Sequence, residues 1–166
     1  MASTGKRRAQ RRAPPIGPLE KEFRIAARAV PVSPMMLSVD PADDLNRVLD
    51  RYERLLKAGH AELVKRLAEK ALETMELQMN DLDDPWDEVT MVVHRIQHLH
   101  QRACGKVRAD PEALAHWLFD WKCRSQFNFF YDAPKGGYAE ILGKRGLAIF
   151  ASLGVKAKAD EKRRLE

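Results

Sequence analysis

Fifteen residues, Trp117–Tyr131, hold seven of the twelve aromatic side chains in this 166-residue chain: Trp117, Phe119, Trp121, Phe127, Phe129, Phe130 and Tyr131. Each buried ring removes roughly 150–250 Å² from water, so any fold open to the chain has to close around this segment. Asp110-Pro111-Glu112 reads as a helix start, because a carboxylate can cap the first free N–H groups and proline fits the first helical position. Leu114, Trp117, Leu118 and Trp121 then repeat at i, i+3, i+4, i+7, which is one apolar stripe of a helix.

The same period recurs along the chain. Leu19, Phe23, Ala26, Ala27 and Val30 give a short helix that ends before Pro31, since a residue preceding proline is pushed out of the α region. After a proline-containing connector, Asp40-Pro41 or Asp43 starts a helix with Leu45, Val48, Leu49, Tyr52, Leu55 and Leu56 on one face, and Gly59 ends it as a left-handed residue. Leu63, Val64, Leu67, Ala71, Leu72, Met75 and Met79 come directly after, so Leu45–Met79 reads as an αα-hairpin. Asp84-Pro85 opens the next helix, with Val89, Val92, Val93, Ile96, Leu99, His100 and Ala103 buried and Gly105 closing it. That helix and the Asp110 helix make a second hairpin, its turn glycine 46 residues after the first. Asp132–Gly137 is a turn. Tyr138, Ile141 and Leu142 precede Gly143, and Leu147, Phe150 and Leu153 form a last helix ending at Gly154.

The expected fold is therefore all-α, a short solenoid-like domain of stacked antiparallel αα-hairpins. Residues 1–18 read as a disordered basic tail, 19–154 as a single helical domain and 155–166 as a basic C-terminal tail. With 45% hydrophobic residues the chain can build a real core. No run reaches the roughly 18–20 apolar residues that span a bilayer, and no apolar segment backs the N-terminal arginines as a signal peptide would. The expectation is a cytoplasmic protein in which Cys104 and Cys123 are free thiols. Of the net charge of +5, Lys6, Arg7, Arg8, Arg11 and Arg12 supply five units before any acid, and the remainder carries 24 basic and 24 acidic groups. Basic character thus belongs to the ends, and the high isoelectric point does not by itself give the domain a nucleic-acid face.

Several stretches together resemble an uncharacterised bacterial helical-repeat family found alone or downstream of SWIM-type zinc-finger domains. They are Leu55–Ala61 as Leu-Leu-Lys-Ala-Gly-His-Ala, the Asp81-Leu82-Asp83-Asp84 loop, His100–Cys104 as His-Gln-Arg-Ala-Cys, Asp110–Ala115, and Tyr138–Gly143 with Gly146-Leu147-Ala148. The similarity runs over roughly residues 22–154 and rests on the order of the motifs. It implies a helical repeat fold and brings no catalytic residues. The chain has no Cys-x-Cys and Cys-x-His finger, reads Asp-Pro-Trp in the acidic loop where small residues are usual, and is expected to stop before the further helices of its relatives.

His94 and His98 stand at the i, i+4 spacing of a helical metal pair, but point roughly 200° from the stripe centred on Ile96 by helical geometry and lack an acid at catalytic spacing. They are read as solvent-facing, and no metal or cofactor is expected. His100 lies in the stripe with Cys104 one turn on, an interhelical hydrogen bond in preference to a nucleophile and its base, because a helix C-terminus disfavours the thiolate. Gly143-Lys144-Arg145-Gly146 lacks the full phosphate-loop pattern and a preceding strand, and is read as a helix junction. The aromatic run follows core periodicity, which sets it apart from a base-stacking platform. No catalytic residues are assigned.

Two functions fit. The first is a non-enzymatic helical-repeat interaction module that presents a groove between hairpins to an unidentified protein partner. The alternative is a nucleic-acid-associated protein in which Lys6, Arg7, Arg8, Arg11 and Arg12 attract phosphates. A homodimer is also expected, through an apolar edge of Leu147, Phe150 and Leu153 with Phe150 as anchor.

Overall fold

The computed structural model describes residues 12–32, 40–79, 87–125 and 137–165. They form helices α1 (Ile16–Ala27), α2 (Pro41–Lys57), α3 (Ala61–Met79), α4 (Asp87–Val107), α5 (Pro111–Arg124) and α6 (Gly137–Leu165), with no strand among the described residues. The chain is all-α. Phe127, Phe129, Phe130 and Tyr131, and the Asp84-Pro85 helix start, lie outside the described residues.

Local chemistry accounts for most boundaries. Asp40 caps α2 by accepting from the Ala42 N–H at 2.8 Å, and Asp110 caps α5 by accepting from the Ala113 N–H at 3.2 Å. Proline occupies the first turn of each, where a missing N–H removes nothing from the helical ladder. Gly59 ends α2 at φ +93°. The Gly59 N–H donates to the Leu56 carbonyl at 3.1 Å and the His60 N–H to that of Leu55 at 3.0 Å, the paired bonds of a Schellman turn.

Two expected glycine stops fall inside helices instead. Past Gly105, α4 continues to Val107, whose side chain packs against the core, and it is Arg108 that turns left-handed at φ +51°. Burying Val107 offsets the roughly 1 kcal/mol that a helical glycine costs. Past Gly154, α6 continues to Leu165. Its backbone break is at Gly143 (φ 60°, ψ −169°), so the Gly143–Gly146 stretch is the helix junction read from its sequence. Gly146 lets α6 lie close to α5, since a Cβ there would sit 2.8 Å from Leu142 Cβ and 3.3 Å from Pro111 Cβ.

The core forms two clusters. The larger is built from the apolar faces of α1 to α4, with Trp121 inserted from α5. The smaller joins Leu114, Ala115 and Leu118 of α5 to Tyr138, Leu142 and Phe150 of α6 and Cys104 of α4. The most extensive helix contacts are α3 with α4 and α5 with α6. The hairpins expected from the sequence, α2 with α3 and α4 with α5, are lesser pairings, because the α5 stripe packs on Tyr138, Leu142 and Phe150 of α6. Trp117 touches both clusters. Among the described residues no helix is long and apolar enough to cross a membrane.

Candidate functional site

Where the two clusters meet, the apolar packing gives way to a chain of polar side chains from three helices. His100 of α4 is fully buried. Its Nε2 lies 3.1 Å from Glu69 Oε1 on α3, and its Nδ1 lies 2.8 Å from the Tyr138 hydroxyl on α6. That hydroxyl is also 3.1 Å from the Gln97 main-chain carbonyl. The His100 ring rests on Trp117 with centroids 4.6 Å apart, and Lys65 Nζ stands 3.4 Å from Glu69 at the solvent side.

The protons in this chain have one consistent placement. Burial is the largest influence on His100 and holds its pKa below the ordinary 6.5, so the ring is neutral at pH 7 and carries a single proton. Burial also acts to raise the Glu69 pKa, but the hydrogen bond from His100 and the proximity of Lys65 outweigh it, and Glu69 stays ionised. An ionised carboxylate only accepts, so Nε2–H donates to Glu69. Nδ1 is then an acceptor, and the single Tyr138 O–H proton is shared between it and the Gln97 carbonyl. Desolvation keeps the Tyr138 phenol protonated by pushing its pKa well above 10.0.

Cys104 Sγ is 3.4 Å from His100 Nε2 and 3.9 Å from Nδ1, so its neighbours superficially resemble a nucleophile, a base and an acid. The roles do not fit. A histidine that activates a thiol offers it one ring nitrogen and its carboxylate the other, whereas here Nε2 faces both Cys104 and Glu69. Nδ1, the basic nitrogen, is taken by Tyr138. Burial pushes the thiol up to about 12. The group is a polar tie between α3, α4 and α6.

The remaining predicted residues are scattered. His94 is half-buried and His98 exposed on the far side of α4, and among the described residues no three His, Cys, Asp or Glu side chains are grouped as metal ligands. Phe150, expected as a dimer anchor, is 4% exposed and meets Phe119 edge-on at 5.6 Å. It closes the small cluster and is not available as an anchor. Leu147 is 38% exposed and Leu153 half-buried. Lys6, Arg7, Arg8 and Arg11 lie outside the described residues, while Arg12 borders a cleft of about 410 Å³ with Arg51, Arg54 and His60. Glu69 and Tyr138 were missed by sequence reasoning. Glu69 flanks an apolar stripe as an ordinary helix residue and Tyr138 reads as part of one, and only the packing of α3, α4 and α6 brings them to His100.

No protein-family model matches the chain, and neither a curated protein nor a solved structure is found similar to it.

Proposed function

We propose that this protein is a non-enzymatic helical scaffold, its helices stacked as antiparallel αα-hairpins, that acts by binding another protein. On this reading it belongs to the helical-repeat family whose motif order it resembles. The observation that supports it most is the use made of its chemistry-bearing side chains: Glu69, His100 and Tyr138 bond one another across three helices, with buried Cys104 beside them. Function then falls to the surface. The test is affinity capture from the native cell after nuclease treatment. One or a few proteins should be enriched saturably and released by excess untagged chain. Enrichment that untagged chain does not compete away would sink the reading.

A second reading has its own observation. Arg12, the first described residue of the basic tail, is joined by Arg51 and Arg54 at one cleft, where a phosphate would meet several guanidinium groups. If the protein is nucleic-acid-associated, affinity for a 20-base oligonucleotide falls linearly on a log–log plot against salt and disappears when residues 1–13 are removed. Affinity independent of salt would remove this alternative.

A further inference from the structure

Most of the chain's positive excess lies at its beginning. The first 28 residues hold eight basic and two acidic side chains, while the other 138 hold 21 and 22. On α1 and the turn after it, Lys21, Arg24 and Arg28 share one exposed face with Ile25 between them. Glu22 is engaged elsewhere, by Arg51 of α2, and Glu20 is half-buried.

Two features meet on this face. Lys21, Arg24 and Arg28 form no ion pair among the described residues, and no carboxylate lines the cleft that they border. At its centre, Ile25 is 53% exposed and Leu77, from the last turns of α3, is 72% exposed. Together these side chains border a cleft of about 370 Å³ between α1 and the end of α3. An apolar floor rimmed by cations is complementary to a ligand that is apolar on one side and acidic at its flanks.

We propose that this cleft is the docking site for an acidic amphipathic helix of a partner protein, an inference that rests on the scaffold reading. The cations from Lys21 to Arg28 span about 10 Å at the helical rise of 1.5 Å per residue, near two turns of an incoming helix. Such a helix lays leucine or phenylalanine side chains at i, i+3/i+4 and i+7 on Ile25 and Leu77, and its flanking glutamates meet Lys21, Arg24 and Arg28. Nucleic acid fits less well. Phosphates gain nothing from two aliphatic side chains, and bases stack on rings, which this cleft lacks.

The experiment is selection of 16-residue peptides from a displayed random library against the full chain, followed by fluorescence anisotropy with the most enriched peptide. The selected peptides should be acidic and carry apolar residues at helical spacing. Binding should weaken at least tenfold with Ile25→Asp/Leu77→Asp, and at least tenfold with Lys21→Glu/Arg24→Glu. All four positions are exposed, and unchanged circular dichroism melting confirms that each variant is folded. Enriched peptides that are neutral or basic, or acidic ones that bind the Ile25→Asp/Leu77→Asp chain as tightly as the native one, would overturn the proposal. So would equal affinity for a 20-base oligonucleotide, which would mean charge attraction alone. The scaffold reading is judged apart from this. If the Ile25→Asp/Leu77→Asp chain captures the same cellular proteins as the native chain, this site is wrong and the scaffold stands; if neither chain captures any, both fail.

Discussion

The two nitrogens of His100 set the pH behaviour of the fold. Its folded pKa lies below the ordinary 6.5 and that of Glu69 below 4.5, so for both groups the unfolded chain takes up protons first as pH falls. Unfolded-state binding of this kind makes stability rise with pH. The His100 contribution is intact above about 6.5 and begins to be lost below it; that of Glu69 is intact above 4.5 and is lost as pH falls through its folded value. At the alkaline end Cys104 and Tyr138 are raised from 9.0 and 10.0, so the unfolded chain releases its protons first and stability declines from about pH 9. Melting temperature should therefore be level between about 6.5 and 9, and the decline just below 6.5 should flatten in His100→Gln. A native protein that melts higher at pH 5.5 than at 7.5 would contradict the neutral ring. Of this site the sequence shows one half. His100 stands in an apolar stripe with Cys104 a turn away, which marks a buried polar contact. Its partners Glu69 and Tyr138 are 31 and 38 residues distant, and no helical period connects side chains across that separation.

Helix ends divide according to whether local chemistry decides them. At Gly59 the left-handed backbone and the Schellman bonds are set within a few residues, so the stop is legible. Gly59→Val should cost about 1–2 kcal/mol, because a β-branched residue is forced into the left-handed region. Gly154 has no such demand on it. It lies within α6 with only Phe119 Cε2 near, 3.9 Å from where a Cβ would stand. Gly154→Ala should stabilise by about 0.5–1 kcal/mol through the lost freedom of the unfolded chain. Urea melts of the two variants check both signs, and a destabilised Gly154→Ala would mean that α6 ends there after all. As residues the three glycines read alike, yet helix continues through Gly105 and Gly154. Val107 packs on the core and holds α4 together past Gly105. The stripes themselves were legible throughout α1 to α5, because burial on one face imposes the 3.6-residue period directly.

For the whole molecule, two apolar clusters meet at a seam that Glu69, His100 and Tyr138 bridge and Trp117 covers. Phe150 belongs to the interior of the smaller cluster, so Phe150→Glu removes its ring from the packing and puts a carboxylate among apolar side chains, and should lower the melting temperature by many degrees. Light scattering of the native chain and this variant tells a core role from a dimer anchor: a folded variant that halves a native dimer would contradict the packing against Phe119. The central claim is that the cluster around buried His100 and Cys104 is structural, with only Glu69 reaching solvent beside Lys65. Thiol labelling tests it most directly, since Cys104 is buried and Cys123 exposed, giving an internal control. In the native protein at pH 7.5 a disulfide reagent should titrate one thiol per chain within seconds, lost in Cys123→Ser, and a second only after denaturation. Rapid native labelling of Cys104, above all with a pH midpoint below 7, would reveal an activated thiolate at His100 and contradict a structural cluster.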